Sequence, residues 1–158
     1  MKLKRLAASA VAVVTAVLGL GLATAGPAAA DTGAWHAYGN TNPITSSDAK
    51  WACARTRPVT TDVSAQVCAV RSRQGRGDSV QTAVIVRNDR SSLYAVEAAA
   101  DMPSGLGGNV GRWECAWSGV AANSWSVCFG ATKEVLYPIP VQAHGGANSV
   151  DLGTSPWV

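Results

Sequence analysis

The sequence predicts an all-β domain stapled by disulfides, either a β-sandwich or a small barrel. Three observations carry that expectation. Short β-branched or alternating stretches recur about every 8–12 residues, separated by Gly, Asn and Ser. Four cysteines, an even count, follow an export-type N-terminus. No stretch of the remaining chain sustains the 3.6-residue apolar period of an amphipathic helix.

The first segment is read as a signal peptide over residues 1–30. Lys2, Lys4 and Arg5 precede an apolar run from Leu6 to Ala25, Gly26-Pro27 breaks it, and Ala28-Ala29-Ala30 offers small residues for cleavage. Ala23-Thr24-Ala25 is a second candidate cut. An uncleaved anchor is the competing reading of the same run. The expected mature domain is therefore 31–158, one unit, secreted and extracellular, with no membrane contact after cleavage.

The strands follow in order. Val63, Ala65, Val67 and Ala69 alternate with their neighbours. SVQTAVIVR (79–87) reads as a well-buried strand, Asn88-Asp89-Arg90 as a hairpin turn, and SSLYAVEA (91–98) as the next strand. Alanines around Glu97–Asp101 allow one helical turn. NVGRWECAW (109–117), SWSVCFG (124–130), KEVLY (133–137) and PVQA (140–143) are further short strands, with Pro138 and Pro140 marking an edge or bulge. HGGANS (144–149) reads as a turn before VDLG, and RSRQGRGDS (71–79) as a polar hairpin loop.

An internal echo links the cysteines. Trp51-x-Cys53-Ala54 followed by Val67-Cys68 matches Trp113-x-Cys115-Ala116 followed by Val127-Cys128. If each frame is one structural unit, each closes on itself as Cys53–Cys68 and Cys115–Cys128. The domain would then hold two pseudo-repeats, about 35–98 and 99–158. Crossed pairing, Cys53–Cys128 with Cys68–Cys115, is the alternative. Trp51 and Trp113 each sit two residues before a cysteine, so they share its strand face and are expected to pack over it. Trp117 and Trp125 have no aromatic counterpart in the first frame, which makes them candidates for a binding surface.

Residues 31–158 carry 13 − 3 = 10 basic and 10 acidic side chains, so the basic character of the whole chain resides in its first segment. A nucleic-acid role loses its electrostatic support. Within the domain, residues 50–90 hold eight cations against three acids, and the remainder holds two against seven. The expected arrangement is mutual attraction of the two halves across one domain; a basic face for an acidic partner is the alternative.

Sequence motifs for chemistry are sparse. Gly77-Asp78-Ser79 matches trypsin-like proteases and GDSL esterases over three residues, and Val80-Gln81 and Val141 depart from their patterns. Neither His36 nor His144 has zinc spacing, and no EF-hand, GxGxxG or GxSxG pattern occurs. No catalytic residue, metal or cofactor is expected. The spacing Pro103-Ser104-Gly105 followed by Cys115-Ala116-Trp117 resembles the neocarzinostatin-type apoproteins over about 25 residues. These are secreted Ig-like sandwiches with two local disulfides that carry an apolar chromophore. The resemblance implies a disulfide-stapled sandwich. The wider cysteine loop and the duplicated W-x-C frame depart from it, and no chromophore is expected here.

The expected function is a secreted, non-enzymatic binding protein, with an extracellular protein or a polysaccharide as partner. One form is a proteinase inhibitor presenting Arg55, Thr56 and Arg57 from the Cys53–Cys68 loop, where preorganisation would reduce the entropy lost on docking. Another is a carbohydrate or cell-wall module using Trp117 and Trp125. A small hydrolase, with His144 or with Glu97, Glu114 and Glu134 as its acids, ranks third.

Overall fold

The computed structural model describes residues 30–74, 77–135 and 139–158. The segment 1–30, read from sequence as a signal peptide, lies outside them, Ala30 excepted, as do Arg76 and Pro138. Among the described residues the chain forms twelve strands and no helix. They are β1 (Asp31–Thr32), β2 (Ala34–Gly39), β3 (Lys50–Cys53), β4 (Arg57–Thr60), β5 (Val63–Gln74), β6 (Gly77–Asn88), β7 (Tyr94–Pro103), β8 (Asn109–Val120), β9 (Ser124–Phe129), β10 (Lys133–Val135), β11 (His144–Ala147) and β12 (Val150–Thr154).

Two open sheets stack as a sandwich. The front sheet has the order β1-β8-β7-β11-β12. The back sheet has the order β2-β9-β6-β5-β3, with β4 also beside β5 and β10 also beside β6. The main core lies between them. Val63, Ala65, Val67 and Ala69 of β5 and Val80, Val84 and Val86 of β6 meet Val96, Ala98, Ala100 and Met102 of β7, Trp113 and Cys115 of β8, and Leu152 of β12. The outer face of the back sheet is covered too. Cys68, Val70, Ala83, Ile85 and Val127 lie under Tyr38, Ile44, Ala49, Trp51, Trp125 and Phe129. Burial on both faces explains why residues 83–86 read as a continuous apolar run, while β7, buried on one face, alternates.

That alternation corrects the helical turn expected at Glu97–Asp101. Glu97 and Asp101 point out while Ala98, Ala100 and Met102 point in, a period of two that only a strand satisfies. His144–Ala147 is likewise a strand, leaving Asn148-Ser149 as the turn, with Asn148 at φ 46°. PVQA forms no strand: Val141 makes a single bridge to Ser104, while Pro140, Gln142 and Ala143 make separate backbone bonds to Gly105, Pro103 and Ser155. The loop expected at 71–79 is mostly ladder, since β5 and β6 stay in register out to Gln74 and Gly77. The turn at Asn88 is a corner rather than a hairpin, carrying the chain from back sheet to front. Asn88 is fully buried there, and its Nδ2 donates to the carbonyls of Ser92, Val120 and Ala121 while its Oδ1 accepts from Arg90 N.

Each W-x-C frame closes on itself, in two different ways. Cys53 and Cys68 stand directly opposite on β3 and β5 and are bonded within the back sheet. Cys115 of the front sheet bonds Cys128 of the back sheet, so this bridge ties the two layers together. The tryptophans diverge accordingly. Trp113 is buried between the sheets, and Trp51 lies half-buried on the outer cluster beside its own disulfide. The first strand also changes layer. β1 runs parallel to β8, then Gly33 passes so close to the inter-sheet bridge that an added Cβ would lie 2.7 Å from Cys115 Sγ and 2.8 Å from the Phe129 carbonyl. Only glycine fits there without displacing one of them.

Candidate functional site

The unpaired outer face of the front sheet forms a groove, and strand register shows why it is hollow. One pleat row crosses the strands as Asp151, Gly146, Ala99, Glu114 and Thr32. The next row places Thr154, His144, Asp101 and Arg112 side by side. Small residues thus occupy the middle and long polar ones the flanks. The resulting groove encloses about 740 Å³, with Glu97 and Ala116 also on its lining.

The flanking side chains hold one another in place. His144 lies between two carboxylates, with Nδ1 3.3 Å from Asp101 Oδ1 and Nε2 3.4 Å from Asp151 Oδ1. Arg112 stands 3.4 Å from Glu114. This is not the geometry of a Ser–His–Asp triad, in which one ring nitrogen must face a hydroxyl. Glu97 and Glu114 share the groove, whereas Glu134 lies on β10 in the back sheet. Both groove glutamates are exposed, and a glycosidase general acid is held protonated by burial or by a close like charge. The pair is better suited to accepting hydrogen bonds from hydroxyls.

Trp117 stands beside this groove because of a β-bulge. Val96 faces Ser118 and Ala98 faces Cys115, so a step of two residues on β7 matches three on β8. With unbroken alternation Trp117 would share the inward face of Trp113 and Cys115. The extra residue turns it outward, and it is 62% exposed, next in sequence to groove-lining Ala116. Searches for a matching family model and for a matching curated protein find none.

The other candidates lie elsewhere. Trp125 packs half-buried on the outer face of the back sheet under the Arg87 guanidinium, whose carbon is 5.3 Å from the ring centroid. Arg87 is itself fixed by Asp89 at 2.6 Å and by Asn40 and the Asn123 carbonyl. The two tryptophans therefore belong to different sheets and form no common platform. Arg55, Thr56 and Arg57 are exposed, but they lie along the rim of the back sheet. Arg57 belongs to β4, paired with Ala65, and Thr56 Oγ1 bonds Gln66 Oε1 at 2.9 Å. Between the ordered partners Cys53 and Arg57 only a bulged edge remains, not a projecting loop.

The expected attraction between the two charged segments takes no such form. Among the described residues every ion pair stays within its own segment. Arg71–Asp78, Arg73–Asp78 and Arg87–Asp89 lie within 50–90, and Arg112–Glu114 and the His144 pairs lie outside it. The acids of the remainder gather instead on the groove face. Glu97, Asp101, Arg112, Glu114 and Asp151 left no sequence signal as a set, because three strands, β7, β8 and β12, contribute them, the last far along the chain from the other two. The one available clue was the period-two pattern of 95–102.

Proposed function

We propose that the chain is exported and acts outside the cell as a non-enzymatic module that binds polysaccharide in the front-sheet groove. The observation that carries this reading is Trp117, turned out of the sandwich by a bulge and left exposed beside the groove. A soluble domain gains nothing in stability from an indole in water, whereas a flat aromatic face stacks well on the apolar face of a sugar ring. Groove carboxylates and Arg112 offer acceptors and donors for hydroxyl groups over a floor of Ala99 and Gly146. Export is supported by the N-terminal pattern and by two disulfides. A proteinase-inhibitor role draws less support from Arg55–Arg57, because an inhibitor segment must project into a cleft and this one lies along a sheet edge. Retention on insoluble cell wall, chitin and cellulose tests the reading. The wild type is expected to be retained on at least one, and Trp117→Ala to pass through. Equal retention of the two proteins would overturn it.

A further inference from the structure

We propose that the chain self-associates through β2, as an antiparallel pair of two copies that extends the back sheet across a two-fold axis. Unguarded strand edges template pairing with another chain, so exposed edges normally carry charge, proline or very short length. Among the described residues the other edges follow that rule. Lys50 stands on β3, Arg57 and Pro58 on β4, Lys133 and Glu134 on β10, and Asp151 on β12, while β1 has only two residues. β2 departs from it. It is six residues long, reads Ala34-Trp35-His36-Ala37-Tyr38-Gly39, contains no carboxylate, lysine, arginine or proline, and is bonded on one side only, to β9. Its register is regular from Ala34 to Ala37, with the shift reserved for the far end at Ala37/Gly39. Ala34, His36 and Ala37 are exposed, so the free side is accessible.

Charge favours a second copy as the occupant. An uncharged strand is complementary to itself, and the domain's ten cations and ten acids leave no net charge to keep two copies apart. Pairing like edges about a two-fold axis also closes the assembly at two. The axis of an antiparallel pair stands perpendicular to the sheet, so both front sheets face the same side. Two grooves would then meet one repetitive polymer together, raising avidity without a new contact. The association itself does not depend on any polysaccharide.

Sedimentation velocity of the mature protein over a concentration series, up to about 1 mM, tests the proposal, with Ala37→Lys and Ala34→Glu as variants and thermal melts to confirm folding. The expected result is a monomer–dimer equilibrium in the wild type. It should weaken about tenfold or more in either folded variant, since the axis sets each new charge against its twin's edge. A wild type monomeric throughout would overturn the proposal. So would a dimer that persists unchanged in a folded variant.

Discussion

Removing the inter-sheet bridge should cost more than removing the intra-sheet one, although loop length predicts equal costs. The sequence separations are 13 for Cys115–Cys128 and 15 for Cys53–Cys68. In the chain-entropy model both loops stabilise by about 3 kcal/mol. The difference comes from what remains in the folded state. Cys53 and Cys68 sit on strands already held by the β3–β5 ladder; Cys68 is buried, but Cys53 is only partly so, among partly exposed side chains of the outer cluster that can settle into the space left. Cys115 and Cys128 are buried between layers that share no backbone ladder at that point. Cys→Ala at both leaves a void where two sulfurs stood, which adds about 1 kcal/mol at roughly 24 cal/mol per Å³. Urea unfolding of the two double-alanine proteins should therefore give losses of about 3 and about 4 kcal/mol. Gly33→Ala supplies an internal check. In the wild type its Cβ would press on Cys115 Sγ and the Phe129 carbonyl. In the Cys115→Ala/Cys128→Ala protein one of those two obstacles is gone, so the same substitution should cost less there. An equal penalty in both backgrounds, or a larger loss from the Cys53/Cys68 pair, would refute the view that Cys115–Cys128 is the bridge packed against the layer-changing strand.

Three further outcomes follow from named contacts. Asn88→Ala removes the side chain that serves three carbonyls at the β6–β7 corner, that of Val120 in a buried bond, and should lower stability by about 2–3 kcal/mol in denaturant titration. Arg71→Leu leaves Asp78, 5% exposed and bonded to Arg71 at 2.7 Å, without its near partner; a loss of about 3–5 kcal/mol is expected from chemical denaturation. Trp117→Ala touches no core contact and should change stability by no more than about 0.5 kcal/mol, while Trp113→Ala, buried between the sheets, should cost about 3–5 kcal/mol by the same titration.

The sequence carried the architecture because period-two alternation and cysteine placement are local signals. The first part of strand β5 was legible from Val63, Ala65, Val67 and Ala69 alone, whereas its polar end, Arg71–Gln74, read as loop. β7 was partly hidden, because its inward alanines are also good helix formers, and packing against β6 and β8 overrode that propensity. The frames around Cys53 and Cys115 look alike in sequence yet serve different layers, since a tryptophan two residues before a cysteine fixes a shared strand face and not the partner sheet. The site was less legible still. Trp117 stood out as an unmatched aromatic, but its direction depends on a bulge that no residue type announces. The groove around Ala99 and Gly146 exists only once β1, β8, β7, β11 and β12 lie side by side.

The most direct test of the binding surface is NMR chemical-shift mapping of the labelled protein with soluble fragments of cell wall, chitin and cellulose. Perturbations are predicted to gather at Trp117, Ala116, Glu97, Ala99, Glu114 and Gly146, on the outer face of the front sheet. Perturbations centred on Arg55–Arg57 or Trp125, or none with any fragment, would contradict the account.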